Sequence, residues 1–172
     1  MARFETSVLP HLDAAYNLAR WLTRNDQDAE DVVQESFMRA LKYFHAMKGG
    51  EARPWLLGIV RNTCYTWLEK NRPAEVVALD DSDGAVEPPA AVNNTTPEVI
   101  LLQTANRKLV NQALEELPVG YREVIVMREI EDMSYKEIAA VAGIPLGTVM
   151  SRLSRGRELL RVSIGDRMKR AS

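Results

Sequence analysis

Four arginines, Arg152, Arg155, Arg157 and Arg161, crowd the segment "GTVMSRLSRGRELLR", and Arg167 follows just beyond it. A guanidinium is a planar fork of donors that matches the oxygens of a phosphate or the O6 and N7 edge of guanine. The hydroxyls of Thr148 and Ser151 stand just ahead of them and can donate or accept on the same surface. Residues of this kind recognise an anionic, hydrogen-bonding polymer. They do not make bonds. Cys64 is the only cysteine, which rules out an internal disulfide or a cysteine zinc site, and it reads as a buried apolar side chain. His11 and His45 are too few and too far apart for a metal cluster, and the acids Asp28 and Asp31 have no histidine or glycine loop to support them. The sequence therefore offers no catalytic residues, no metal ligands and no cofactor site.

Two helical patterns must position the arginines. Ser134 followed by Glu137 is a capping box, so a helix starts there, with Tyr135, Ile138, Ala139 and Ala142 on one face. Gly143 allows a tight turn, Ile144 plugs the corner, and Pro145 to Thr148 open a second helix that Val149, Leu153 and Leu160 anchor. The spacing from Ala139 through Gly143 to Val149 is that of a helix-turn-helix, whose second helix enters the DNA major groove. Its outward residues are then Thr148, Ser151, Arg152, Arg155 and Arg157.

The net charge of −2 at first looks wrong for a nucleic-acid binder. Partitioned along the chain, it does not. Residues 1–72 hold ten basic against nine acidic residues, 73–104 hold six acids and no base, and 134–172 hold eight bases against three acids. The acidic stretch "RPAEVVALDDSDGAVEPPAAVNNTT" has no sustained period and reads as a flexible linker. Strand patterns are missing on either side of it. The expected fold is all-α, with two small helical domains over 1–72 and 97–172 joined by a linker over 73–96. No apolar run approaches the ~20 residues that span a bilayer, and "MARFETSVLPHL" lacks the plan of a signal peptide, so a cytoplasmic protein is expected.

In the first half, one helix should run from about Glu5 through "YNLARWLT". A second begins where Asn25 or Asp26 caps "DQDAEDVV", with Val33, Phe37, Leu41 and Phe44 as its buried stripe and Asp31, Gln34, Glu35 and Arg39 opposite. After the glycine loop "HAMKGGEA", a third turns Leu56, Ile59, Val60, Thr63 and Trp67 inward and leaves Asn62, Tyr65 and Glu69 outside. Spacing also favours structural roles for Trp55 and Trp67 over stacking on bases. In the second half, Thr96 and Pro97 read as a helix start, and Pro118 ends that helix and begins another.

Three segments, "DAEDVVQESFMRAL", "RPWLLGIVRNTCYTWL" and "LEELPVGYREVIVMREIEDMSYKEIAAVAGIPLGTVMSRLSRGRELL", closely resemble in order and separation those of sigma-70 family factors. More narrowly, the chain resembles the extracytoplasmic-function group, which keeps only regions two and four. The resemblance implies a promoter-specificity subunit without catalytic activity. Asp31, Gln34 and Glu35 would dock on the clamp helices of the largest subunit of core RNA polymerase, whose flap is a further partner. Phe44 to Ala52 with Lys48, Arg61, Asn62 and Tyr65 would hold the opened minus-ten element. Thr148, Ser151, Arg152, Arg155 and Arg157 would meet the minus-thirty-five duplex, and Met150 stands where many relatives carry arginine. The linker would thread toward the polymerase active site or act as a plain solvated tether.

An anti-sigma factor is the expected controller, and a monomer is expected in the absence of partners. The lack of a long extension beyond "RMKRAS" argues against a built-in regulatory domain. The competing class is a self-sufficient helix-turn-helix regulator, which would dimerise on a palindromic site.

Overall fold

The computed structural model of the chain describes residues 2–47, 50–76, 79 and 107–171, and among these residues every regular element is helical. The expected start at Thr96 and Pro97, most of the expected linker, and Lys48 lie outside the described residues.

The first half opens with α1 (Ala2–Val8), a 3-10 turn at Leu9–His11 and α2 (Leu12–Thr23). The single helix expected from Glu5 is thus divided at Pro10, which lacks the N–H that a continuous helix needs. Asn25 caps α3 (Asp26–Tyr43): its side chain accepts from the Asp28 N–H at 2.9 Å. The buried stripe of α3 is Ala29, Val32, Val33, Ser36 and Ala40, so of the expected row only Val33 is buried. Phe37 and Phe44 are only half-buried, and Leu41 is 39% exposed. Two helices press on α3, and small residues let their backbones approach. Ser36 settles its buried hydroxyl by donating to the Val32 carbonyl at 2.7 Å.

A 3-10 turn at Phe44–Ala46 closes α3, and the next helix is α4 (Ala52–Asn71). Leu56, Val60 and Thr63 are buried as expected, Ile59 and Trp67 are half-buried, and Leu57 and Leu68 are buried on another side together with Cys64, whose burial was expected. The second face is covered because α4 packs against α2 and α3 on one side and against the second half of the chain on the other. Trp55 stands edge-on to Phe44, and Trp67 lies under the Arg72 guanidinium. The chain beyond residue 72 stays attached: Pro73–Glu75 form a 3-10 turn, and Glu75 pairs with Arg24 and Arg72.

The second half comprises α5 (Arg107–Glu116), α6 (Val119–Ile125) with a π turn at Val126–Ile130, α7 (Tyr135–Ala142) and α8 (Leu146–Ala171). Pro118 is the N-cap of α6. The long helix α8 is the spine on which α5, α6 and α7 pack. Its crossing with α6 depends on Gly156, where an added Cβ would fall 2.8 Å from Ile125 Cδ1 and 3.4 Å from Tyr121 Cβ. Gly156→Val is expected to cost about 1 to 3 kcal/mol through overpacking. It should lower the thermal midpoint at unchanged helix content. An unchanged midpoint would mean that α6 can retreat.

Candidate nucleic-acid interface

The helix-turn-helix is built by local chemistry. Ser134 Oγ accepts from the Glu137 N–H at 3.1 Å, and Glu137 Oε1 accepts from the Ser134 N–H at 3.1 Å. At the other end of α7, Gly143 takes φ 66°, a left-handed conformation that closes the helix and turns the chain. Pro145 then starts α8, its carbonyl accepting from the N–H groups of Thr148 and Val149. Ile138, Val141 and Ala142 on α7 are buried, as are Val149, Leu153, Leu160 and Ile164 on α8. Val141 was not among the expected core positions.

The five expected contact residues of α8 do not share one environment. Thr148, Ser151 and Arg155 lie along one side of the helix, with Arg155 exposed and Ser151 Oγ donating to the Thr148 carbonyl at 3.1 Å. Arg157 turns away, and its guanidinium holds Glu129 of the π turn at 2.7 Å. Arg152 is half-buried on the flank, where its charge acts on the carboxylate of Glu123 in α6. Met150 is half-buried. Leu146, at the first position of α8, is 49% exposed.

On α4, Asn62 is exposed, whereas Arg61 and Tyr65 are not free to meet a strand. Arg61 makes a two-pronged pair with Glu123, Nε to Oε2 and Nη2 to Oε1, both at 3.2 Å. Its guanidinium lies 3.8 Å over the Tyr65 ring, and the Tyr65 phenol is a near neighbour of Glu123. Glu123 is 0% exposed. Burial pushes its carboxyl upward in pKa, and Arg61 and Tyr65 pull it back by solvating the anion. Burial and the nearby Glu123 charge likewise raise the Tyr65 phenol and the Cys64 thiol, leaving both neutral.

Neither Glu123 nor its neighbour Arg122 was among the expected functional residues. The one signal available was an adjacent charged pair inside the apolar run "YREVIVM".

The polar face of α3 is open. Asp31, Gln34 and Glu35 are exposed, with Gln27 donating to Asp31 at 3.2 Å and Arg39 paired with Glu35 at 2.9 Å. Met38, 68% exposed, and Leu41 continue this face at helical spacing and give it an apolar centre. A shallow cleft between α2 and α3, lined by Leu12, Tyr16, Val33 and Gln34 among others, adjoins it. Among the described residues no group of three or more His, Cys, Asp or Glu could hold a metal, and no helix is long and apolar enough to cross a membrane.

A domain of four helices, α1 to α4, and a helix-turn-helix domain define a protein of two parts, and the parts are individually recognisable. Residues 8–73 match sigma-70 region 2, and residues 107–160 match sigma-70 region 4. The ECF RNA polymerase sigma factor SigE of Mycolicibacterium smegmatis is 35% identical over 94% of this chain and 61% of its own length. The ECF RNA polymerase sigma-E factor of Salmonella typhimurium is 37% identical over 77% of this chain and 72% of its own. This chain thus spans somewhat less than two thirds of the first relative.

Among solved structures, the sigma factor RpoE in complex with the anti-sigma factor NepR from Bartonella quintana superposes with a TM-score of 0.72 at 27% identity. It covers 96% of this chain and 98% of that one. CnrH, in complex with the cytosolic domain of CnrY, gives 0.62 at 26% identity, covering 91% and 84%. The chain belongs to the sigma-70 family and, within it, to the extracytoplasmic-function group of transcription initiation factors.

Proposed function

We propose that this chain binds core RNA polymerase through the α3 face of Asp31, Gln34 and Glu35 and guides it to promoters, with no catalysis of its own. The observation that carries the reading is the presence on one chain of two recognition surfaces of different character. One is the exposed α3 face, with an apolar centre and polar rim suited to a protein partner. The other is the Thr148, Ser151 and Arg155 side of α8, suited to duplex DNA in the major groove. Asn62, with Arg61 and Tyr65 once uncovered, is the minus-ten contact, and Lys48 belongs to the same set. Arg152 and Arg157 complete the minus-thirty-five set after leaving Glu123 and Glu129. The domain limits are 1–72 and 97–172, with the linker between.

Control by an anti-sigma factor is supported by the likeness to RpoE, whose structure holds the anti-sigma factor NepR. The chain acts in the cytoplasm, where polymerase and promoter are, and is a monomer between partners.

Run-off transcription with purified core polymerase and a library of promoter fragments tests the reading. Initiation at a defined set of starts, dependent on both core and this chain, is the expected result. Duplex binding by the chain alone, with no core-dependent starts, would instead make it an ordinary helix-turn-helix regulator. Gln34→Ala with Glu35→Ala is expected to weaken core association at least about tenfold, roughly 1.4 kcal/mol, at unchanged helix content. Unchanged association would show that face to be merely solvated.

A further inference from the structure

The outward face of α8 has an apolar end that its hydrogen-bonding residues do not explain. Leu146, at the first position of the helix, is 49% exposed, and Met150, one turn on, is half-buried. Neither belongs to the hydrophobic core of the described residues. Four-residue spacing puts Leu146, Met150 and Ser154 in one row, beside the row of Gly147, Ser151 and Arg155. Between the rows Gly147 leaves open space, where an added Cβ would meet nothing within 4 Å. A single exposed leucine on a protein surface means little. Two apolar side chains in the first turns of this helix are another matter, because the N-terminal residues of the second helix are the ones that meet base edges.

Of the groups by which base pairs differ in the major groove, one protrudes as an apolar group, the C5-methyl of thymine. The others donate or accept hydrogen bonds, and a leucine or methionine pressed against them would leave them dry and unpaired. Ser151 points to the same base pair by a separate route. Its Oγ donates to the Thr148 carbonyl at 3.1 Å, so what it has left to offer is a lone pair, which accepts from adenine N6 or cytosine N4. Of those two bases, only adenine is paired with one that carries a methyl group.

We propose that Leu146 and Met150 read thymine methyl groups, and that the first turns of α8 thereby select A·T pairs within the minus-thirty-five element. This rests on the reading of α8 as the duplex-binding helix and adds two residues to its contact set. Thr148, Ser151 and Arg155 supply hydrogen bonds and charge, whereas Leu146 and Met150 supply a contribution that releases no counterions. Burying one methyl group corresponds to about fourfold in affinity, so a pair gives about fifteenfold, and neither contact weakens with salt.

The test removes the methyl and nothing else. A promoter fragment on which the chain and core polymerase initiate in run-off transcription is remade with deoxyuridine replacing each thymine of its upstream element in turn, on either strand. The hydrogen-bonding edges of the pair are unchanged. Initiation at subsaturating polymerase is expected to fall about fourfold at one or two of these positions, equally at low and high salt. Leu146→Ala or Met150→Ala should lower initiation on the thymine promoter by a similar factor and make it indifferent to uracil at one position each.

Uracil tolerated at every position overturns the inference, as does an upstream element without thymine. A uracil loss that persists undiminished in both variants also overturns it, since another side chain would then meet the methyl. Should either variant lose helix content, the uracil series on the wild type decides alone. No core-dependent start on any fragment would sink the polymerase reading and this inference together, whereas starts that ignore uracil sink the inference alone.

Discussion

Replacing Arg122 with methionine is expected to lower the unfolding free energy by about 3 kcal/mol or more, because three backbone carbonyls lose a buried cation at once. Arg122 is 3% exposed, and Nη1 donates to the carbonyls of Glu115 at 2.9 Å and Leu117 at 2.7 Å. Its Nη2 donates to Leu22 at 3.3 Å, in the last turn of α2 in the other half of the chain. Helix ends leave carbonyls without intrahelical partners and carry partial negative charge, and Arg122 serves two such ends, those of α5 and α2. That solvation keeps a buried guanidinium tolerable. Burial, together with Arg24 and Arg72 nearby, draws its pKa down to about 10, so it remains charged at neutral pH.

Methionine fills much of the same volume and leaves the carbonyls dry. For a chain of this size the expected fall in thermal midpoint is about 6 to 12 °C. Arg161→Met, at an exposed position, should change stability by no more than about 0.5 kcal/mol. A drop for Arg122→Met no larger than that control would mean that water replaces the guanidinium.

The second large effect belongs to Arg155. Arg155→Ala is expected to reduce core-dependent initiation by about 10- to 100-fold, the worth of one good guanidinium contact of roughly 1 to 3 kcal/mol. Core binding should be unaffected, since the residues proposed to meet core, Asp31, Gln34 and Glu35, lie on α3 in the other half. Salt dependence says which atoms Arg155 meets. A phosphate contact predicts a uniform loss across sequences with the salt slope reduced by about 1, and a guanine contact predicts loss of preference at one base pair. Arg157 is the comparison: it is held by Glu129, and its replacement should have the smaller effect. The reverse order would show that the Arg157–Glu129 pair opens on DNA and that Arg155 is the spectator.

Local features were readable directly. The Asn25 cap, the Ser134–Glu137 box, the Gly143 turn and the Pro118 start each depend on residues within a few positions of one another, and each stands where expected. Periodicity did less well wherever a helix has more than one neighbour. On α3 the large apolar residues suggested a stripe, yet the seam between α2 and α4 selects small ones, and Leu41 and Met38 are left outside. On α4 a single inward face was expected, yet Leu57 and Leu68 are buried on a second one.

By itself the sequence determined an all-helical chain, the helix-turn-helix, the basic end and the family. Helix starts, turns and charge are properties of short segments, and the long matches to regions two and four are properties of order and spacing. Only the tertiary structure decided which arginines face outward. Arg61 and Arg155 look alike as sequence, each on the polar side of a helix. Arg61 is 62 residues from the carboxylate that holds it, whereas Arg155 is exposed. The direction of a side chain follows from its own helix, but what it meets there is set by elements that arrive from elsewhere in the chain.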